Sequence, residues 1–366
     1  MRAAVLENVG SQLILKHLPD PTPAAGDAVL KVLSVPVLNY AKEVFSGARP
    51  YPNLFPLVPG PPTPPRPQLI VGVSCIARVD TLGPGAVSLK PGQLVFFDAT
   101  VRARDNPTTI MLQGWIAQEE NGGQKLQAYW RNGAFAEKIL CPVENVHGIP
   151  EELLEQYGAG KLAWLTCALV PYGGLLAGGL EAGQCVMIQP ATGHFGTAAV
   201  AVAIAMGASS VFAVGRNNSV LDELVKKFGA RVKPVVVTGT ESDKEVYASL
   251  EVDMSLNLYP PGSPTDAIVY GLSALKSGGT LVLMGGVLEP IPIPYMEVMH
   301  KSITIKGQFM YPRSAVPKMI GLVEAGLLDL NVFDDKMFKL DDVLEAVEFA
   351  ASKGNRGWLY QTVLEP

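Results

Sequence analysis

The sequence predicts an α/β protein of two domains, in which a β-rich first half is followed by a doubly wound parallel sheet. Three observations support this fold class. The chain has 366 residues, which is too long for one ordinary core. The first half alternates short β-branched runs with turn signals. Beyond about residue 155, strand-like and helix-like segments alternate, as in a parallel sheet that is covered on both faces.

Strands account for most of the predicted elements in the first half. Ala3–Leu6, Ala28–Val35 and Leu69–Val79 are rich in β-branched and apolar residues. Leu94–Phe97 is a further apolar run that follows a turn at Lys90–Gln93. These runs predict a β-rich domain.

A proline-rich segment interrupts these strands. Pro59–Pro67 holds six prolines in nine residues, so it cannot be a central strand. We expect an exposed extended loop. Such a loop is either a spacer or a ligand for an aromatic groove on a partner.

The second half gives the alternation of a nucleotide-binding sheet. Predicted strands are Cys185–Gln189, Val211–Val214, Val235–Thr238, Val252–Leu256 and Thr280–Met284. Predicted helices are Thr197–Met206, Val220–Phe228 and Ile268–Leu275. A turn is expected at residues 277–279.

A glycine loop lies between the first of these strands and the next helix. Ala191-x-Gly193-x-x-Gly196 is shorter by one glycine than the full dinucleotide fingerprint. In this context, Gly193 would let the backbone approach a pyrophosphate and Gly196 would let the helix pack on the strand. The alternative is an ordinary glycine turn in an α/β domain. The cofactor contacts predicted in this loop are Ala191, Thr192, Gly193, His194, Phe195 and Gly196.

His194 leaves two interpretations open. Its ring or backbone would donate to a cofactor phosphate, or it is a surface histidine at a helix start.

The end of the second strand predicts the choice of cofactor. NAD-binding proteins place an acidic residue about 20 residues beyond the glycine loop, where it accepts a hydrogen bond from the ribose. This chain has Gly215, Arg216 and Asn217 there. Gly215 would leave room for a 2′-phosphate, and Arg216 and Asn217 would bind it. The sequence therefore predicts NADP(H), with Arg216 as a solvated strand-end residue in the alternative.

Three segments resemble a known family, the medium-chain dehydrogenase/reductases, and within it the zinc-free branch of quinone and enoyl reductases. They are Gly72–Val95, Ala191–Gly196 and Leu281–Gly286. Gln308–Tyr311 resembles fungal members. The resemblance implies a GroES-like catalytic domain in residues 1–156 and 310–366. It also implies a Rossmann NADP-binding domain in residues 157–309, with Gly285 among its cofactor contacts.

The resemblance also predicts that zinc is absent. Zinc-dependent members have Gly-His-Glu where this chain has Gly72, Val73 and Ser74, and valine has no metal-binding atom. The lobe that holds a structural zinc in the family should fall near residues 95–115, a stretch without cysteine. We therefore expect neither zinc site.

Without zinc, other groups must stabilise charge on a carbonyl oxygen or donate a proton. Tyr51 lies in a segment that resembles the Gly-x-Tyr-Pro of zinc-free enoyl reductases, with one residue more, and is the predicted proton donor. Tyr40 and Lys42 lie in the loop where zinc enzymes keep a ligand, and are predicted substrate contacts. In the alternative these are packing or solvated side chains.

The leading functional hypothesis is a zinc-independent, NADP(H)-dependent oxidoreductase that transfers hydride to or from a small or medium carbonyl compound or an activated alkene. One alternative is a ketone reductase like alcohol dehydrogenases. Another is a non-catalytic, NADP-binding regulatory protein. Turnover of NADPH with enones, quinones and aldehydes separates these classes.

Composition and charge limit the partners. The net charge is −5 with no basic block, so we expect no nucleic-acid partner. The uncharged stretch Leu162–Leu180 contains Pro171 and four glycines, which disfavours a membrane span. Four scattered cysteines fit a reducing, cytoplasmic location. A small-molecule substrate and a possible homodimer complete the expectations.

Overall fold

The computed structural model describes residues 1–49, 69–117, 122–353 and 359–366. It divides into two units. A β-rich unit consists of Met1–Thr166, Phe333–Lys353 and Tyr360–Pro366, and a parallel-sheet unit contains Cys167–Val332. The boundaries therefore fall at 166/167 and 332/333, later in the chain than the predicted 156/157 and 309/310.

Strands dominate the β-rich unit. Its strands are β1 Arg2–Leu6, β2 Ile14–His17, β3 Asp27–Val37, β4 Leu69–Ile70, β5 Cys75–Leu82, β6 Leu94–Phe97, β7 Thr100–Arg102, β8 Ile110–Leu112, β9 Ile116–Ala117, β10 Lys138–Pro142, β11 Val146–Gly148, β18 Asp334–Lys339 and β19 Tyr360–Glu365. Its helices are α1 Ala41–Ser46, α2 Gly123–Leu126, α3 Glu151–Leu162 and α11 Val343–Lys353.

A seven-stranded sheet forms the centre of this unit. Its order is β11-β6-β5-β3-β19-β18, and β10 also pairs with β3. Phe96, Phe97 and Ile76 are fully buried in this sheet. Continuous apolar runs are expected in strands that are covered on both faces.

A small lobe follows β6, in the region where the resemblance predicts that a structural zinc site would lie. Strands β7, β8 and β9 form a three-stranded antiparallel sheet beside α2. Val101, Met111, Leu126 and Trp130 share an apolar core there. Hydrophobic burial thus stabilises this lobe.

The parallel-sheet unit carries the predicted alternation of strands and helices. Its strands are β12 Cys185–Gln189, β13 Ser210–Gly215, β14 Val232–Val236, β15 Val252–Asn257, β16 Leu275–Leu283 and β17 Thr304–Gly307. Its helices are α4 Leu165–Gly178, which starts two residues before the boundary, α5 His194–Ala205, α6 Asn218–Phe228, α7 Asp243–Ala248, α8 Asp266–Ser273, α9 Tyr295–His300 and α10 Ala315–Glu324. All six strands are parallel, in the order β14-β13-β12-β15-β16-β17.

Helices cover both faces of the parallel sheet. Gly178 of α4 lies against Met254 of β15 on one face. On the other face, Met187 of β12 shares a core with Ile268 and Leu272 of α8. The predicted fold class, a GroES-like unit with a doubly wound Rossmann unit, is confirmed.

Three predicted elements differ from the structure. Leu69–Val79 is two strands, because Val71–Ser74 leaves the extended ladder. The strand predicted at Val235–Thr238 is β14, which begins earlier and includes Pro234 because an edge strand tolerates a missing donor. The turn predicted at 277–279 lies inside β16, where the register shifts.

The uncharged segment around Pro171 folds mainly as α4, which has 14 residues. Across the described ranges, no helix is both long enough and apolar enough to span a bilayer.

Candidate functional site

The strand order of the parallel-sheet unit defines where a ligand would bind. The chain runs outward from β12 to β14 and then returns to β15 on the other side of β12. Open α/β sheets bind ligands at the carboxyl ends of the strands where the order reverses in this way. The glycine loop follows the carboxyl end of β12, at this switch point.

The loop holds a helix N-terminus at the switch point. The backbone N–H of Ala191 donates to the carbonyl of Val214 at 2.7 Å, which ties the loop to β13. Helix α5 begins at His194, and its N-cap Gly193 makes no side-chain capping bond. The first N–H groups of a helix have no partner within the helix, so this end suits an anionic phosphate.

The two glycines of the loop occupy their positions for different reasons. A Cβ on Gly196 would collide with the carbonyl oxygen of Pro190 and lie 2.8 Å from Cα of Ala191. Gly196 is therefore required for the close approach of α5, as predicted. A Cβ on Gly193 would meet no protein atom within 4 Å, and the φ of Gly193 is −93°. Nothing within the described protein demands glycine there, which fits a position kept open for a ligand.

His194 is buried, with 8% of its surface exposed, so the surface interpretation is wrong. Burial lowers the pKa of its imidazole to about 4, because a charged ring would lose its hydration. The ring lies 6.0 Å from that of Phe195. His194 thus presents a neutral imidazole, and a phosphate contact would use an N–H donor rather than charge.

The end of β13 places Gly215, Arg216 and Asn217 together. A Cβ on Gly215 would collide with the side chain of Thr192, so this glycine has a packing reason within the protein. The Oδ1 atom of Asn217 accepts hydrogen bonds from Ser219 Oγ at 2.7 Å and from the backbone N–H of Val220 at 3.4 Å. Asn217 is therefore the N-cap of α6, and the predicted phosphate contact would have to use its Nδ2 group as donor.

Arg216 is exposed and lies over the turn that follows β14. Its Cδ stands 4.0 Å from the point where a Cβ on Gly239 would be. Burial raises the pKa of Tyr259, and the charge of Arg216 partly opposes that effect. The guanidinium therefore lies near the carboxyl ends of the strands, close enough for its charge to act on the Tyr259 hydroxyl.

Two buried amides at the switch point were missed in the sequence. Gln189 and Asn257 end β12 and β15, pair in register, and are 0% and 2% exposed. Gln189 Nε2 donates to Ser255 Oγ at 3.0 Å. Gln189 Oε1 and Asn257 Nδ2 have no hydrogen-bond partner among the described residues. A sequence pattern could have found them, because polar residues that end apolar strands are candidate ligand-binding residues in a sheet of this class.

Gly285 follows β16 and approaches the backbone of Tyr259. A Cβ on Gly285 would collide with the Tyr259 carbonyl and lie 2.8 Å from its nitrogen. The next residue, Gly286, donates its N–H to the Tyr259 carbonyl at 2.8 Å. Gly285 thus brings the loops after β15 and β16 together at the ligand end of the sheet.

Two of the predicted catalytic residues, Tyr40 and Lys42, lie in the β-rich unit. Tyr40 precedes α1 and packs edgewise on Trp115, with ring centroids 5.8 Å apart. Lys42 forms an ion pair with Glu348 at 2.7 Å, and both side chains are more than half exposed. Its ammonium is therefore at the surface. Tyr51 and the proline-rich segment Pro59–Pro67 lie outside the described residues.

The side chains at the two expected zinc-ligand positions, Val73 and Ser74, do not suit a zinc ion. Val73 has no donor atom and is 7% exposed. Ser74 Oγ already accepts the N–H of Ala99 at 2.9 Å, and Ser74 is buried. No group of three or more His, Cys, Asp or Glu side chains suited to a metal occurs in the part of the chain that the structure describes.

The residues present do fit a nicotinamide dinucleotide. The open position at Gly193 leaves a cradle for a pyrophosphate, and the amide of Asn257 offers a buried donor at the same sheet end. Fold and loop together define a dinucleotide-binding α/β protein.

Comparison with known proteins supports this class. Residues 195–325 match the family described as zinc-binding dehydrogenase. An alcohol dehydrogenase of Moraxella sp. (strain TAE123) is 28% identical over 355 residues, which are 97% of this chain and 98% of the relative. An L-threonine 3-dehydrogenase of Paraburkholderia phytofirmans is 32% identical over 59% of this chain and 61% of the relative.

Solved structures share the whole fold. The 2R,3R-butanediol dehydrogenase of Bacillus subtilis has a TM-score of 0.78 at 18% identity. The match covers 100% of this chain and 99% of that protein. A protein of Sinorhizobium meliloti 1021, crystallised with NADP bound, has a TM-score of 0.76 at 18% identity, with coverage of 100% and 99%. The chain is thus similar to zinc-binding dehydrogenases over residues 195–325 and to an alcohol dehydrogenase over nearly its whole length, and the solved structures share its fold.

Proposed function

We propose that this protein is a zinc-independent, NADP(H)-dependent oxidoreductase of the quinone and enoyl reductase branch. It would transfer hydride between the cofactor and a small or medium carbonyl compound or activated alkene. The observation that carries the proposal is the end of β13, where the exposed Arg216 and the α6 cap Asn217 stand beside the glycine loop. A guanidinium there suits a 2′-phosphate, which only NADP(H) carries.

When bound, the reduced nicotinamide would supply a hydride. The chain itself would hold the pyrophosphate on the N-terminus of α5 and the 2′-phosphate on Arg216. A tyrosine would donate the proton, and Tyr51 and Tyr40 stay the candidates. Lys42 stays a predicted substrate contact, although its ammonium already pairs with Glu348.

A second candidate is a ketone reductase. The alignment with an alcohol dehydrogenase over 97% of this chain favours it. This function would keep the same cofactor site and restrict the substrate to ketones and alcohols.

The test is NADPH oxidation by metal-free protein with a panel of enones, quinones, aldehydes and ketones. Turnover of enones or quinones supports the first function, and turnover of ketones alone supports the second. With a substrate that the protein turns over, the variants Tyr51→Phe and Tyr40→Phe identify the proton donor. Loss of the donating phenol should lower kcat by about 100-fold. NADPH binding with no turnover on the whole panel would reject both functions.

A further inference from the structure

Tyr259 lies at the ligand end of the parallel sheet, outside every motif of the sequence. It follows the end of β15 by two residues and is partly exposed. Its carbonyl accepts the N–H of Gly286 at 2.8 Å, and its own N–H donates to Asn257 Oδ1 at 3.4 Å. The loop after β16 and the end of β15 therefore fix the backbone of Tyr259 at the switch point.

The side chain of Tyr259 reaches toward the loop that follows β14. Its hydroxyl oxygen is 3.4 Å from that of Tyr247. Tyr247 lies on α7, one turn beyond Asp243. The carboxylate of Asp243 accepts the backbone N–H groups of Thr238 and Gly239 at 2.8 and 2.7 Å. The Tyr259 phenol is thus tied, through Tyr247 and α7, to the loop after β14.

Arg216 reaches the same loop from the end of β13. Its Cδ lies 4.0 Å from the point where a Cβ on Gly239 would be. Its charge also acts on the Tyr259 hydroxyl, where it opposes part of the rise in pKa that burial causes. A guanidinium and a phenol therefore share one part of the sheet end, and both belong to the parallel-sheet unit.

The two phenols differ in their access to solvent. Tyr247 is 1% exposed, whereas Tyr259 is partly exposed. Burial raises the pKa of both hydroxyl groups, so both keep their protons at neutral pH. A buried hydroxyl donor needs an acceptor, and the Tyr259 oxygen occupies that position for Tyr247. With Tyr247 as the donor of this pair, the proton of Tyr259 can serve an acceptor at the strand ends.

We propose that Tyr259 is a specificity-determining residue, whose hydroxyl donates to the 2′-phosphate of the cofactor while Arg216 supplies the charge. This inference rests on the proposed function. A hydrogen bond to an ionised acceptor is roughly twice as strong as one to a neutral acceptor. The ribose hydroxyl of NAD(H) is neutral, so it would gain less from Tyr259 than the phosphate of NADP(H) would.

A fixed phenol complements a mobile guanidinium. The exposed Arg216 side chain loses rotamer freedom when it binds a phosphate. Tyr259 is already held by Gly286 through its backbone and by Tyr247 through its hydroxyl. A donor that is in place before the ligand arrives costs less conformational entropy on binding. Tyr259 would therefore direct the phosphate, and Arg216 would close on it.

Two adenosine fragments test the proposal without turnover. The fragments 2′,5′-ADP and 5′-AMP differ only in the 2′-phosphate, and isothermal titration calorimetry measures the affinity of each. We expect Tyr259→Phe to weaken the binding of 2′,5′-ADP by about tenfold or more, because one hydrogen bond to a charged group is lost. The binding of 5′-AMP should stay at the wild-type value.

Tyr270→Phe is the matched control. Tyr270 lies on α8, is also partly exposed, and has its ring centroid 6.0 Å from that of Tyr247. The variant removes a second phenol from the same cluster, so it should leave both affinities unchanged. Thermal unfolding of both variants shows that they are folded.

Two results would overturn the role of Tyr259. One is an unchanged affinity of Tyr259→Phe for 2′,5′-ADP. The other is an equal loss for both fragments, which a phenol that supports only the adenine or the fold would give. Failure of the proposed cofactor is a separate result, because a wild type that binds both fragments equally has no preference for the 2′-phosphate. A wild-type preference that survives intact in Tyr259→Phe refutes the role of Tyr259 alone.

Discussion

Arg216 is the residue on which the proposed choice of cofactor depends. It is exposed at the end of β13, and its side chain reaches the turn at Gly239. Long exposed side chains lose rotamer freedom when they bind, so its contribution to affinity must exceed that cost. A charge-assisted contact with a phosphate dianion does so, whereas a ribose hydroxyl offers no such partner.

We expect Arg216→Ala to weaken NADPH binding by about 1.5–3 kcal/mol, the range for hydrogen bonds to charged groups, and to leave NADH binding almost unchanged. Fluorescence titration at fixed ionic strength measures both affinities. Lys226→Ala is the matched control, because it removes one exposed cation from the last turn of α6. Equal losses for both cofactors, or a wild type that prefers NADH, would show that this strand end does not select the cofactor.

The buried His194 imidazole predicts how the stability of the protein depends on pH. Its folded-state pKa of about 4 lies below the ordinary 6.5, so the unfolded chain takes up a proton that the folded chain refuses. Stability should therefore fall as the pH decreases from about 6.5 to about 4. The loss from this residue is about 3 kcal/mol, at 1.36 kcal/mol for each pKa unit.

The free energy of unfolding as a function of pH checks this. His194→Gln should remove that part of the acid-side loss, and His300→Gln, at an exposed position, should keep it. If His194→Gln and the wild type lost stability in parallel, the imidazole would not be held neutral in the folded protein.

Among the elements, the lobe of β7, β8, β9 and α2 is stabilised by an apolar core of its own. Its core includes Met111 and Trp130. Trp130 Nε1 donates to the buried carboxylate of Asp27 at 3.0 Å, which anchors the lobe to the start of β3. Burial of apolar surface needs no ion, so the lobe should fold without one.

We predict that the protein purified without chelator contains no stoichiometric zinc, and that EDTA leaves its Tm unchanged. Trp130→Phe should lower the free energy of unfolding by about 1–3 kcal/mol, because the buried Asp27 oxygen loses its donor. Elemental analysis and thermal unfolding measure these effects. About one zinc per chain, removed together with stability by EDTA, would refute this prediction.

Helices and strands were predictable where the pattern of apolar residues was clear. The run Cys185–Gln189 is a strand with the bounds that its apolar pattern predicts. Boundaries failed where tertiary contacts decided, as at Pro234, which is tolerated because β14 is an edge strand. Within the site, the glycine loop was readable, but the pairing of Gln189 with Asn257 was not, since it joins residues that are remote in sequence.

At the scale of the whole molecule, cofactor binding should couple to folding. A ligand that binds only the folded protein stabilises it by RT ln(1 + [L]/Kd). The parallel-sheet unit carries the proposed cofactor site, so the cofactor should raise the free energy of unfolding of this unit. Whether the chain forms the predicted homodimer stays a prediction that light scattering can measure.

We expect NADP⁺ at about 100 times its Kd to raise the Tm of this unit by roughly 5–10 °C. NAD⁺ at the same concentration should give a smaller shift, because it lacks the 2′-phosphate. Differential scanning calorimetry makes the measurement, with Arg216→Ala as the variant that should lose the difference. Shifts of equal size from both cofactors in the wild type would contradict the assignment of NADP(H).

The fold class, the position of the glycine loop and the basic strand end at Arg216 can be read from the sequence alone. These depend on local periodicity and on residue chemistry, which short stretches of chain carry. The folded structure was needed to show that Thr192 fills the space beside Gly215 and that the His194 ring is buried and neutral. It alone placed the Tyr259 hydroxyl beside that of Tyr247. Packing and burial join segments that are distant along the chain or set the surroundings of a side chain, and no local pattern records either.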